Sequence, residues 1–129
     1  MSTATHKRLN LLVVDDSIMM RAMIRRAAVL SNVPLGTIYE ASNGEEALAL
    51  METTAIDALF TDINMPVMTG LELLRAIDGQ DRWRTLLRVI ISADGSTSQR
   101  EQVGQVRACR YVEKPFKPEA IRDVLASLL

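Results

Sequence analysis

Cysteine is almost absent from this chain. Cys109 stands alone, which excludes an intramolecular disulfide and a cysteine zinc cluster. Histidine is as scarce: His6 is the only one, in a polar start running from Met1 to Arg8. Neither a histidine metal cluster nor a Ser-His-Asp triad can be assembled from it. No apolar run approaches the ~20 residues of a membrane helix. The N-terminus has charges but no apolar stretch behind them that would make a signal peptide. An excess of charge is missing too. Fifteen basic residues face 16 acidic ones, for a net charge of −1, so a bulk basic field for nucleic acid is excluded. These absences predict a reduced, cytoplasmic protein that contacts neither nucleic acid nor membrane. What is present is 129 residues, 48% hydrophobic and 24% charged, the size and composition of one globular domain. That length leaves no room for a separate output domain.

The order of elements is regular. Leu11-Leu12-Val13-Val14 is a continuous apolar run, as in a strand buried on both faces, and it stops at Asp15-Asp16. Met20, Met23, Ile24 and Ala27 then recur at helical spacing, with Arg21 and Arg25 opposite, predicting a helix over Ser17–Ser31. Asn32 to Gly36 reads as a break and Thr37 to Ala41 as a second strand. Asn43 and Glu46 form a capping-box pattern before a second helix bearing Ala47, Leu48 and Met51. A third strand, Asp57 to Thr61, ends at Asp62. Thr69 and Glu72 repeat the capping pattern before a helix with Leu71, Leu74 and Ile77. Arg88 to Ser92 is a fourth strand. Gln99 to Arg107 is weakly helical, Tyr111 to Glu113 is a short fifth strand, and Pro118 opens a last helix with Ile121, Val124, Leu125 and Leu128 on one face.

Five strands alternating with five helices predict an α/β fold with a parallel sheet covered on both faces. Right-handed crossovers make it doubly wound, in the flavodoxin-like order 2-1-3-4-5. Sites in such folds form at the carboxyl ends of the strands. Here those ends carry Asp15-Asp16, Asp62, Ser92 and Lys114. Singly, each has an ordinary explanation: an aspartate as turn or helix cap, a serine in a turn, a solvated lysine. Together they fill the same end of four strands, which independent turn residues have no reason to do. Clustered carboxylates repel, and a hard divalent cation relieves the repulsion. Mg²⁺, with its preference for oxygen, fits, with Asp16 and Asp62 as direct ligands and Asp15 acting through water.

Asp15-Asp16, Asp62-Ile63-Asn64-Met65-Pro66, Gly70-Leu71-Glu72-Leu73-Leu74, Ser92-Ala93 and Lys114-Pro115-Phe116 occur in order. The set resembles the receiver domain of two-component response regulators. The run from Asn64 to Leu74 most resembles the single-domain, chemotaxis-type (CheY-like) members. The resemblance spans residues 9–129, with 1–8 expected as a disordered tail. It implies that Asp62 is the phosphoacceptor, taking a phosphoryl group from a sensor histidine kinase. It further implies that the Asn64 main-chain carbonyl is a third metal ligand. Lys114 and Ser92 would bind phosphoryl oxygens, and Ser92 and Tyr111 would form a conformational switch. Asn64 and Asp94, flanking the path of an attacking water, would set the lifetime of the aspartyl phosphate. Ser92 stands where the family more often has threonine. Arg107-Ala108 stands where Gly-Ala is usual, and a glycine there suits a helix end.

Residues 96–129 hold six basic and four acidic side chains. A mildly basic face of the fourth helix, fifth strand and fifth helix fits either an acidic partner or an ordinary solvated surface. The resemblance implies a downstream protein such as a flagellar motor switch protein, or a phosphotransfer protein if the chain is a relay shuttle. It implies a signalling protein and not an enzyme. A phosphatase of the haloacid-dehalogenase type would want Asp-x-Asp after the first strand, and Asp15-Asp16-Ser17 does not supply it. An FMN-binding flavodoxin-like protein would want a Ser/Thr/Gly-rich phosphate loop there, where two aspartates repel phosphate. Cys109 reads as a residue without chemistry, and Met19 and Met20 read as packing.

Overall fold

The computed structural model describes residues 8–65, 67–93, 101 and 109–129. Five strands form one parallel sheet: β1 (Leu9–Val14), β2 (Leu35–Ala41), β3 (Ala58–Thr61), β4 (Leu87–Ser92) and β5 (Cys109–Glu113). Their order is β2-β1-β3-β4-β5, as the alternation predicts. Four α-helices are described: α1 (Ile18–Leu30), α2 (Gly44–Thr53), α3 (Gly70–Ile77) and, at the C-terminus, α4 (Pro118–Ala126). The expectation was five. The helix expected over 99–107 lies outside the described residues apart from Glu101, as does the tail over 1–8 apart from Arg8.

The central strands are apolar on both sides because both sides are covered. Side chains alternate across a strand. Leu12, Val14, Leu59 and Ile90 therefore face Ala47, Met51, Leu73, Leu74 and Ile77 of α2 and α3. Leu11, Val13, Phe60, Val89 and Ile91 face Ile24, Ala27 and Ala28 of α1 and Ile121, Val124 and Leu125 of α4. Full burial of each such leucine or isoleucine contributes about 1.5–3 kcal/mol. These two layers fix the sheet, and the sheet fixes where its strand ends lie.

Several boundaries and faces differ from expectation. β2 begins at Leu35, so Gly36 lies inside it and does not break it. A Cβ at Gly36 would collide with Asn10 Oδ1, which accepts a hydrogen bond from the Thr37 amide at 3.0 Å. The glycine is there for close approach. β3 begins one residue late because Asp57 turns aside: its carboxylate accepts from the Asn10 amide at 2.8 Å. The buried stripe of α1 is Ile24, Ala27 and Ala28, with Met20 packed at its edge. Met23 and Met19 are exposed and not core, since they sit to one side of that stripe. Asn43 caps α2 as expected, but Glu46 reaches past it to the Ser42 amide and hydroxyl at 3.0 and 2.9 Å. The capping box is complete only at α3, between Thr69 and Glu72. Those hydrogen bonds hold the Glu72 carboxyl below the usual carboxylate range.

Candidate functional site

Parallel strands deliver all their carboxyl ends to one edge, so the chain segments leaving β1, β3, β4 and β5 meet there. Asp15 directly follows β1, and every polar group it has is engaged. Its amide donates to Ala41 O at 3.1 Å, fastening it to β2. Its Oδ1 accepts from the Ser17 amide at 2.9 Å, and its main-chain oxygen accepts from Arg21 Nη1 at 2.6 Å. Only Oδ2 is left to turn inward, where Lys114 Nζ lies 3.3 Å away. The side chain is 2% exposed. Burial pushes its carboxyl above the usual range; the Ser17 amide and the Lys114 ammonium pull it back, and the negative charge of Asp62 raises it again.

Asp62 follows β3. Its amide donates to Val14 O at 3.1 Å, its Oδ1 accepts from the Ile63 amide at 2.7 Å, and its Oδ2 lies 3.2 Å from Lys114 Nζ. Lys114 is held in turn by β4, its amide donating to Ser92 O at 2.9 Å. The Lys114–Pro115 peptide is cis. Asp16 is exposed at the rim, and single oxygens of Asp15, Asp16 and Asp62 lie within 4.8 Å of one another. Three carboxylates thus cluster, and two of them share one ammonium. The donors are all oxygen, with no sulfur or imidazole beside them among the described residues. That set suits a hard divalent cation and not a soft one.

The remaining expected residues fall around this cluster or outside the described chain. Ser92 is buried at the end of β4. Tyr111 is half-buried in β5, in register with Ile90 and packed against the α2–α3 side of the core. Asn64 is exposed, just beyond buried Ile63. Asp94, Arg107 and Ala108 lie outside the described residues, and nothing is described of the Cys109 side chain.

The loop after β3 is shaped by close contacts. A Cβ at Gly70 would strike the main-chain oxygen of Asp62, and the Gly70 amide donates to Ile63 O at 2.9 Å. Glycine at this point lets α3 start directly behind the acidic residue. Val67 holds φ at 72°, a left-handed value that is rare for a β-branched residue. Such strain persists where the surroundings over-determine the backbone.

Residues 11–126 match the response regulator receiver domain family. The chain belongs to this family. Among curated receivers it is 31% identical to the chemotaxis protein CheY of Pseudomonas aeruginosa over 120 residues, which is 93% of this chain and 95% of the relative. It is also 31% identical to CheY1 of Helicobacter pylori over 122 residues, 94% of this chain and 97% of that one. Among solved structures, the chemotaxis response regulator CheY4 of Vibrio cholerae superposes with a TM-score of 0.82 at 30% identity, covering 95% of this chain and all of that one. The five-stranded order is that of the receiver fold. Receivers of this kind are signalling proteins and not classical enzymes. Among the described residues no helix is long and apolar enough to cross a membrane.

Arg21, which helical spacing places with Arg25 on the polar side of α1, is part of this site. Its guanidinium bridges the Asp15 main-chain oxygen and Glu40 of β2, and its side chain is only 15% exposed. The only sequence signal was an arginine one turn into α1 from the acidic pair.

Proposed function

We propose that the protein is a stand-alone response regulator of the chemotaxis type, phosphorylated on Asp62 in the cytoplasm by a sensor histidine kinase. Residues 9–129 form the receiver domain in this reading, and its signal passes through its surface. The observation that supports this best is the placement of Lys114 Nζ 3.2 Å from Asp62 and 3.3 Å from Asp15, with Asp16 in reach. The chemotaxis assignment draws on the names of the relatives, which cover this chain nearly end to end.

In this reading an Asp62 carboxylate oxygen attacks the phosphorus of a phosphohistidine. The P–N bond breaks, the imidazole leaves with a proton, and an aspartyl phosphate remains. Asp16, Asp62 and the Asn64 main-chain carbonyl would hold Mg²⁺ directly, and Asp15 through water. When bound, the cation offsets the carboxylate charge so that an anionic phosphoryl group can approach. Lys114 and the Ser92 hydroxyl each bind a phosphoryl oxygen, so the work is positioning and electrostatics. The new dianion draws both inward. Tyr111, on the strand beside Ser92, then turns further in, and the face of β5 and α4 changes. That face carries exposed Lys117, and Arg122 pairs there with its neighbour Asp123 at 3.2 Å. A moderately acidic docking segment, such as one on a flagellar motor switch protein, fits it better than a phosphotransfer protein.

A small P–N donor tests the function. With phosphoramidate and Mg²⁺ the protein is expected to gain one phosphoryl group by intact mass, and none when the cation is chelated. Exchanging Asn64 or Asp94 is expected to change the rate at which that group is lost. A parent protein that stays unmodified argues against the receiver function; unchanged loss rates remove those two residues from the timing role.

A further inference from the structure

We infer that Arg21 is a positioning residue for the acidic loop, and that Glu40 on β2 aims it. This rests on the metal-dependent reading of the Asp cluster. The loop from Asp15 to Ser17 must hold two neighbouring carboxylates at fixed positions against their own repulsion. Most of its anchors are local or already described: the Asp15 amide on Ala41 O, the Ser17 amide on Asp15 Oδ1, the Met20 amide on Ser17 Oγ at 3.1 Å, the Arg21 amide on Ser17 O at 3.0 Å, and Lys114 on Asp15 Oδ2. The Arg21 side chain adds another. Its Nη1 takes the Asp15 main-chain oxygen at 2.6 Å while its Nε holds Glu40 Oε1 at 2.9 Å. Glu40 Oε2 is steadied by Arg25 at 3.2 Å. Glu40 immediately precedes Ala41, the residue that takes the Asp15 amide, so the amide and carbonyl of Asp15 are tied to the same stretch of β2.

The planar guanidinium matters. Its fork reaches two acceptors in fixed directions, whereas a lysine ammonium is a single point. Fixing the Asp15 carbonyl fixes the peptide plane between Asp15 and Asp16, and therefore where the Asp16 side chain departs. Charge alone predicts the reverse effect. A cation beside the cluster repels a metal, so its removal should tighten metal binding. Because Glu40 already pairs with Arg21, we expect positioning to win.

Calorimetric titration of the unphosphorylated 129-residue protein with magnesium chloride separates the two. Arg21→Met is expected to weaken Mg²⁺ affinity about tenfold, the lower end of what loss of a ligand-orienting partner costs. Arg21→Lys keeps the charge but not the fork, and is expected to lose about threefold. Each variant is compared only where its thermal transition matches the parent, so a merely structural role would leave the affinity unmoved. Unchanged or tighter binding in Arg21→Met overturns the proposal. If that variant does not fold, parity of Arg21→Lys with the parent overturns it instead. A parent that binds no Mg²⁺ refutes the metal site itself and the proposal with it, and is told apart because every titration is then flat.

Discussion

Lys114→Met is expected to slow phosphoryl transfer by about 10²–10³-fold, as loss of a preorganised charge-stabilising donor does, while magnesium binding tightens. The two effects have opposite signs and a common cause. Lys114 Nζ sits between Asp15 Oδ2 and Asp62 Oδ2 at 3.3 and 3.2 Å. Without it, the carboxylates lose their only ammonium among the described residues and attract a cation more strongly. The incoming phosphoryl group, however, loses the charge that would take one of its oxygens. Calorimetry gives the first effect and the time course of acetyl phosphate labelling gives the second. A slower reaction explained by weaker Mg²⁺ binding would contradict this account. In chelator the variant should also be less stable, because Asp15 is left buried beside Asp62. Asp15 is buried, but Lys114 and Asp62 keep 16% and 12% exposure, so the cost is about 2 kcal/mol and not the larger value of a fully buried pair.

Asp15→Asn should do the reverse: a more stable protein without metal, and a poorer site. Burial and the Asp62 charge raise the Asp15 carboxyl above its usual range. The folded protein therefore binds the Asp15 proton more tightly than the unfolded chain does. Its contribution to stability is complete below the unfolded pKa and is lost as pH rises through the folded one. At neutral pH the parent carries that loss and a neutral asparagine does not. Urea unfolding at pH 7 in chelator is expected to show a gain of about 1 kcal/mol, within the ordinary range for one substitution. The gain should vanish in acid, where both side chains are uncharged. Added Mg²⁺ stabilises the parent by about 2.7 kcal/mol at a hundred times its dissociation constant, and the variant by clearly less. A variant less stable than the parent at pH 7, or one with an undiminished response to Mg²⁺, would oppose this.

The site was legible because a parallel sheet does much of the assembly. Once the apolar runs ending at Val14, Thr61, Ser92 and Glu113 are read as parallel strands, Asp15, Asp16, Asp62, Ser92 and Lys114 must share an edge. No long-range contact has to be guessed. What was not legible depends on geometry that spacing does not encode. The role of Arg21 needs Glu40, 19 residues away on the edge strand, and the rotation of α1 that brings the two to 2.9 Å. Met23 shares the helical period of Met20 and Ala27, yet the stripe that reaches the sheet is Ile24, Ala27 and Ala28. Gly36 reads as a break, although its place inside β2 follows from how closely Asn10 approaches it. Arg88 is wholly buried in β4, which no alternation predicts. Its Nη2 donates to Trp83 O at 2.8 Å, an acceptor at the end of the 3₁₀ turn Asp81–Trp83.

Asp62 and no other carboxylate is expected to receive the phosphoryl group. Labelling with acetyl phosphate and Mg²⁺, trapping with borohydride and peptide mass analysis test it directly. Modification at residue 62, with none in Asp62→Asn, is the predicted result. Modification at Asp15 or Asp16, or an Asp62→Asn protein labelled as fully as the parent, would contradict it.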